Sequence, residues 1–121
     1  MQAEGQGMSA HEIDTNTFEA LKQMSGADFI GELVDTYLED APKLIRELRS
    51  ALQAGDAEAF RRAAHSLKSN AATFGAGRLA QQAKELEMIG KERKLGETGE
   101  LLEELERTYG VVAAELRGLK G

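Results

Sequence analysis

Two histidines, His11 and His65, stand in this chain of 121 residues, and there is no cysteine beside them to bind a metal or act as a nucleophile. His11 falls in a start, "MQAEGQGMSAHE", that shows no periodicity. His65 lies within "FRRAAHSLKSNAATFGAGRLA", with Lys68 and Ser69 following it at i+3 and i+4. On a helix those steps put an imidazole, an ammonium and a hydroxyl on one side, a turn apart. Metal binding fits poorly, because a bundle site draws on Glu-x-x-His pairs or on cysteines, and the chain has neither. A serine-type triad needs a histidine oriented by a buried acid beside a nucleophile in a pocket, whereas Ser66 and Ser69 read as helix-surface serines. No G-x-x-x-x-G-K-[ST] loop is present, so self-sufficient use of ATP is not indicated. Two readings remain. His65 is an ordinary exposed side chain, or its imidazole is a nucleophile toward a phosphoryl group that another molecule presents.

The elements that must carry His65 are helical. Asp14 or Thr15 can cap a short helix bearing Phe18 and Leu21 and closed at Gly26. Ile30, Val34, Tyr37, Ala41, Leu44, Leu48 and Leu52 then recur at helical steps, which predicts a long amphipathic helix that continues across Pro42 with a kink. Asp56 is placed to cap a third helix running to about Phe74, where Gly75 and Gly77 mark a corner. A fourth helix carries Leu79, Ala83 and Leu86 and fades at Gly90. After a polar connector, a fifth carries Leu101, Leu105, Tyr109, Val112, Leu116 and Leu119. No run alternates as a strand would. The expected fold is all-α, an antiparallel four-helix bundle with an additional short N-terminal helix packed on it as a lid. Residues 1–10 read as a disordered N-terminal segment or a cloning remnant, and residues 11–121 as the bundle domain.

At about 100° per residue, Phe60, Ala64, Leu67, Ala71 and Phe74 fall in a stripe about 80° wide that must face the core. His65 then lies about 140° from the centre of that stripe and points outward. Ser69, Ala72 and Ala76 continue its strip as small residues, and Arg61 and Arg62 precede it by a turn. The face reads as flat and basic in a chain whose net charge is −6. Such a strip gives another molecule room to approach the imidazole.

The acidic balance opposes general nucleic-acid binding, and a composition with 5% aromatics and no tryptophan offers no base-stacking platform. No apolar run approaches the roughly 18 residues that would span a bilayer. The start has neither the basic nor the apolar region of a signal peptide. Absence of cysteine fits a reducing compartment, so a cytoplasmic protein is expected, and a monomer, because one bundle can cover its own apolar stripes.

"AHSLKSNAATFGAGRLA", followed by "AKELE", resembles the signature of histidine-containing phosphotransfer (HPt) domains of bacterial and plant phosphorelays. The likeness is strongest over the third helix, the Gly75 corner and the fourth helix, and extends loosely from about Asp14 to Leu119. Position by position, it implies that His65 is the phosphorylated residue and Lys68 the cation that offsets phosphoryl charge. Ser69 stands where the family often has glycine, and Asn70 where a small residue is common. The implied partners are response-regulator receiver domains, which bring their own aspartate and Mg²⁺, and a hybrid histidine kinase is a further candidate. The chain itself then needs no cofactor and acts as a phosphoryl carrier without turnover of its own, not as an enzyme. Arg61, Arg62, Ser69, Ala72 and Ala76 would form the docking face. Two other readings stay open: a non-catalytic bundle that binds partners through the Ser69, Ala72 and Ala76 strip, and the phosphorylated domain of a chemotaxis-type kinase.

Overall fold

Side chains at the helix ends explain where the elements begin in the computed structural model, which describes residues 12–120. Asp14 accepts a hydrogen bond from the Asn16 amide at 3.0 Å and caps α1 (Thr15–Ser25). Asp56 accepts from the Ala59 amide at 3.0 Å and caps α3 (Ala57–Thr73). Each carboxylate satisfies a first-turn amide that has no partner within its own helix. Between them α2 (Ile30–Ala54) runs unbroken through Pro42. The chain goes on through α4 (Gly77–Lys91), a 3-10 turn at Leu95–Glu97 and α5 (Leu101–Lys120). The terminal segments, and with them His11, lie outside the described residues.

Helices α2, α3, α4 and α5 pack in sequence, and α5 closes the ring against α2. Cross-helix ion pairs fix the direction. Asp35, early in α2, meets Lys120 at the end of α5 at 2.5 Å, while Arg49, late in α2, holds Glu106 near the start of α5. Numbers rise along one helix as they fall along the other, so the pair is antiparallel. The shared core holds Phe60, Leu48, Leu67, Leu79, Leu86, Leu105 and Leu116, all fully buried. Each such side chain contributes about 1.5–3 kcal/mol by leaving water. Phe18 is buried as well, and α1 lies across α2 and α3.

Two apolar stripes differ in detail from the spacing read in the sequence. On α2 the buried residues after Ala41 are Ile45, Leu48 and Ala51, and Leu44 and Leu52 are half-buried flanks. On α5, Leu102, Thr108 and Ala113 are buried, and Leu101, Tyr109 and Leu119 are flanks. A core-facing stripe is at least about 100° wide, so several neighbouring phases fit one apolar pattern. Packing partners choose among them.

The corner between α3 and α4 is tied to the N-terminal segment. The Asp14 amide donates to the Gly75 carbonyl at 2.9 Å, and Ile13 forms an isolated antiparallel bridge with Ala76. Gly75 has φ +81°, and a Cβ there would come within 3.0 Å of the Asp14 carbonyl oxygen. Only glycine meets both conditions without strain. Among the described residues no helix is long and apolar enough to cross a membrane.

Candidate functional site

His65 projects from the middle of α3 with its side chain 54% exposed, as the helical phase requires. Its Nδ1 lies 2.8 Å from Oε2 of Glu87 on α4. The other oxygen of that carboxylate, Oε1, lies 2.8 Å from Lys68 Nζ, one turn further along α3. One glutamate therefore bridges the two residues that spacing alone had put side by side. Its side chain is 15% exposed, much less than the imidazole it holds.

Charge decides the proton positions. The Lys68 hydrogen bond, aided by the one from His65, keeps the Glu87 carboxyl below the usual carboxylate range against the opposing effect of burial. An ionised carboxylate only accepts hydrogen bonds, so Nδ1 must donate and carry the ring proton. In the neutral imidazole the lone pair is then on Nε2, at the ring edge away from Glu87. The arrangement resembles the carboxylate partners that fix the tautomer of metal-bound histidines. Here the nitrogen left free faces outward, and among the described residues no cluster of three or more His, Cys, Asp or Glu could hold a metal ion.

The residues around the imidazole divide. Ser69 and Ala72 are exposed on the same strip, as expected from their phase. Ala76 is not. It is fully buried in the core, because α3 ends at Thr73 and the chain turns at Gly75, so the helical phase that would have carried Ala76 outward no longer applies. The basic collar is also weaker than its sequence suggests. Arg61 is engaged by Glu58 at 2.5 Å and Arg62 approaches the same carboxylate at 3.5 Å. Beyond His65, a groove between α2 and α3 is lined by Asp40, Lys43 and Glu47 on one side and Ser66, Ser69 and Asn70 on the other. Asn70 is half-buried at its edge.

A model of the Hpt domain family matches residues 32–115, which contain α3, α4 and all three members of the bridged cluster. The chain belongs to the Hpt domain family. Its fold agrees: histidine-containing phosphotransfer protein B (HptB) from Pseudomonas aeruginosa PAO1, known from a crystal structure, superimposes with a TM-score of 0.85 at 33% identity, over 90% of this chain and 94% of that one. No curated protein sequence gives a match. Histidine phosphotransfer in a phosphorelay is thus the activity of this Hpt domain.

Reading the sequence alone does not find Glu87. The resemblance includes "AKELE" without giving that acid a role, and helical spacing relates residues only along one helix. A signal was nevertheless present. His65 and Glu87 are equidistant in sequence from Ala76, and two antiparallel helices joined at a tight corner bring equidistant residues opposite each other. The pairing follows from the hairpin.

Proposed function

We propose that His65 of this Hpt domain is the phosphoryl acceptor, and that Nε2 is the atom that reacts. The observation that supports this most is the hydrogen bond between His65 Nδ1 and an ionised Glu87, which leaves the lone pair on the outward nitrogen. The donor is the acyl phosphate on a receiver-domain aspartate. The Nε2 lone pair attacks phosphorus, the N–P bond forms, and the P–O bond to the aspartyl oxygen breaks. The aspartate leaves as a carboxylate. Nδ1 keeps its proton throughout, so the ring becomes a phosphoimidazolium whose positive charge faces Glu87. Transfer to a second receiver is the same displacement in reverse, and the domain ends unchanged, as a carrier rather than an enzyme.

Lys68 has two parts in this reading. In the resting site it holds Glu87 in place and ionised. Its flexible stem also keeps the ammonium within a turn of the incoming phosphoryl oxygens, where a point charge offsets theirs. Mg²⁺ is expected in the receiver, not here. Ser69 and Ala72 offer little bulk to a docking receiver, and Lys43 and Arg62 lie beside the same face. Absence of cysteine suits a reducing cytoplasm.

The test is incubation with a phosphorylated receiver, followed by acid and base treatment of the labelled chain and by mapping of the modified residue. Acid-labile, base-stable phosphate on His65 is expected. Label that persists in His65→Gln would move the acceptor to another residue, and no label from any receiver of the source organism would end the reading.

A further inference from the structure

The helix that carries Glu87 approaches α3 unusually closely at one point. Gly90, on α4, is buried against the backbone of α3. A Cβ placed on it would lie 2.9 Å from the Arg61 amide nitrogen, 3.0 Å from the Ala57 carbonyl oxygen and 3.0 Å from the Arg61 Cα. All three are backbone atoms of a helix, so none can swing aside as the end of a flexible side chain would. Any other residue here forces the two helices apart.

The consequence reaches the site because of where Gly90 stands. It lies one turn beyond Glu87 on α4, against the part of α3 one turn before His65. At the opposite end the two helices are held together by the Gly75 corner, which is tied in turn to Asp14 and Ile13. Bulk at Gly90 therefore opens the hairpin like a hinge, widest at the Gly90 end. Glu87 sits about three-quarters of the way from the corner to Gly90 and takes about that share of the displacement. Its carboxylate spans two donors at 2.8 Å each. Hydrogen bonds weaken once the heavy atoms separate beyond about 3.2 Å, so an opening of about half an ångström loosens both.

We propose that Gly90 is a positioning residue for phosphotransfer: by letting α4 touch the backbone of α3, it keeps Glu87 within hydrogen-bonding reach of His65 Nδ1 and so fixes which ring nitrogen is nucleophilic. The proposal rests on Nε2 of His65 being the acceptor. It acts through Glu87 and has no contact with the phosphoryl group.

The test is Gly90→Ala, with Gly110→Ala as the control. Gly110 lies in α5 with nothing within 4 Å of its would-be Cβ, so the same chemical change there meets open space. Three quantities are read: the nitrogen-15 shifts of the His65 ring, which report the tautomer; the titration of the Glu87 carboxyl; and the rate of transfer from a phosphorylated receiver. Gly90→Ala should shift His65 toward a mixture of tautomers and move the Glu87 titration up toward the ordinary carboxylate range. It should slow transfer on the order of tenfold, the low end of what removing a histidine's outer partner costs at metal sites. Gly110→Ala should change none of these. If Gly90→Ala keeps the wild-type tautomer and Glu87 titration, the proposal is overturned, whatever the rate does. If wild type takes no phosphate on His65 while the two spectroscopic readouts move as expected, it is the acceptor assignment that fails. Should Gly90→Ala not fold, it is measured in the Gly110→Ala background, where a better helix former at an open position adds stability. Failure of that double variant to fold would show that Gly90 holds the bundle and not the site, and would overturn the proposal.

Discussion

At the scale of single residues, the site is a division of labour around one carboxylate. In the function proposed above His65 is the residue that reacts; Lys68 keeps Glu87 charged, and Glu87 decides where the imidazole proton sits. His65→Gln should abolish phosphate acceptance and leave the melting curve almost unmoved, within about 0.5 kcal/mol, since exposed positions seldom change stability by more. A large loss of stability on calorimetry would mean that the ring is packed. Glu87→Gln tests the tautomer argument and carries a pH signature. The Glu87 carboxyl titrates lower in the folded chain than in the unfolded one, with the Lys68 hydrogen bond as the leading cause. The unfolded state thus binds more protons between those two values, and stability rises with pH across that interval. The contribution is complete above the ordinary carboxylate range and is lost as pH falls through the depressed value. Glu87→Gln should flatten the acid side of the stability–pH profile from urea titrations and slow phosphotransfer, with the label still on His65. An unchanged acid limb would show that Glu87 gains nothing from its two partners.

The α3 helix presents the His65 ring and, beyond it, a strip with little bulk. Ser69 and Ala72 are both exposed, so arginine at either position meets no core, and arginine is a good helix former. In a complex, the same bulk would hold a receiver off His65. Reacting atoms must approach to roughly 3–3.5 Å, and about 1 Å of misplacement can cost about a hundredfold in rate. Ser69→Arg and Ala72→Arg should therefore cripple transfer from a phosphorylated receiver and leave thermal unfolding within a few degrees of wild type. Acceptance from a small donor such as phosphoramidate should survive. Full receiver-driven rates in both variants would place docking elsewhere. The strip was legible in the sequence as far as the helix lasts, and the outward phase of His65, Ser69 and Ala72 needed only the α-helical period. Ala76 was misjudged because that period stops at Thr73, three residues short of it. The caps at Asp14 and Asp56 were readable because capping is local. Glu87 and the choice between Leu44 and Ile45 were not, since both depend on which helix lies opposite.

Across the whole molecule, the two tyrosines report how the bundle meets alkali. Tyr37 of α2 is buried, its ring centroid 5.0 Å from Phe74 and 6.0 Å from Tyr109 of α5. Its hydroxyl has no hydrogen-bond partner among the described residues. Burial pushes its ionisation well above the ordinary tyrosine range, and burial also raises that of the half-buried Tyr109. Both phenols bind their protons more tightly in the folded state than in the unfolded one. Their contribution to stability is complete below the unfolded tyrosine value of about 10 and is lost as pH rises beyond it. With two tyrosines and no tryptophan, phenolate absorbance in this chain belongs to these two rings alone. Titration should show Tyr37 ionising together with alkaline unfolding, in one cooperative step with the loss of helical circular dichroism. The orphaned hydroxyl sharpens the expectation. A buried polar group without a partner costs about 1–3 kcal/mol, and replacing it by an apolar group of the same shape removes that cost. Tyr37→Phe should raise the melting temperature at neutral pH and push the alkaline limit higher, because the substitution deletes both the unpaired hydroxyl and its ionisation. A lower melting temperature would show that the hydroxyl is satisfied after all, by a buried water between α2, α3 and α5. A phenolate step well below the unfolding transition would show that the centre of the bundle is open to solvent.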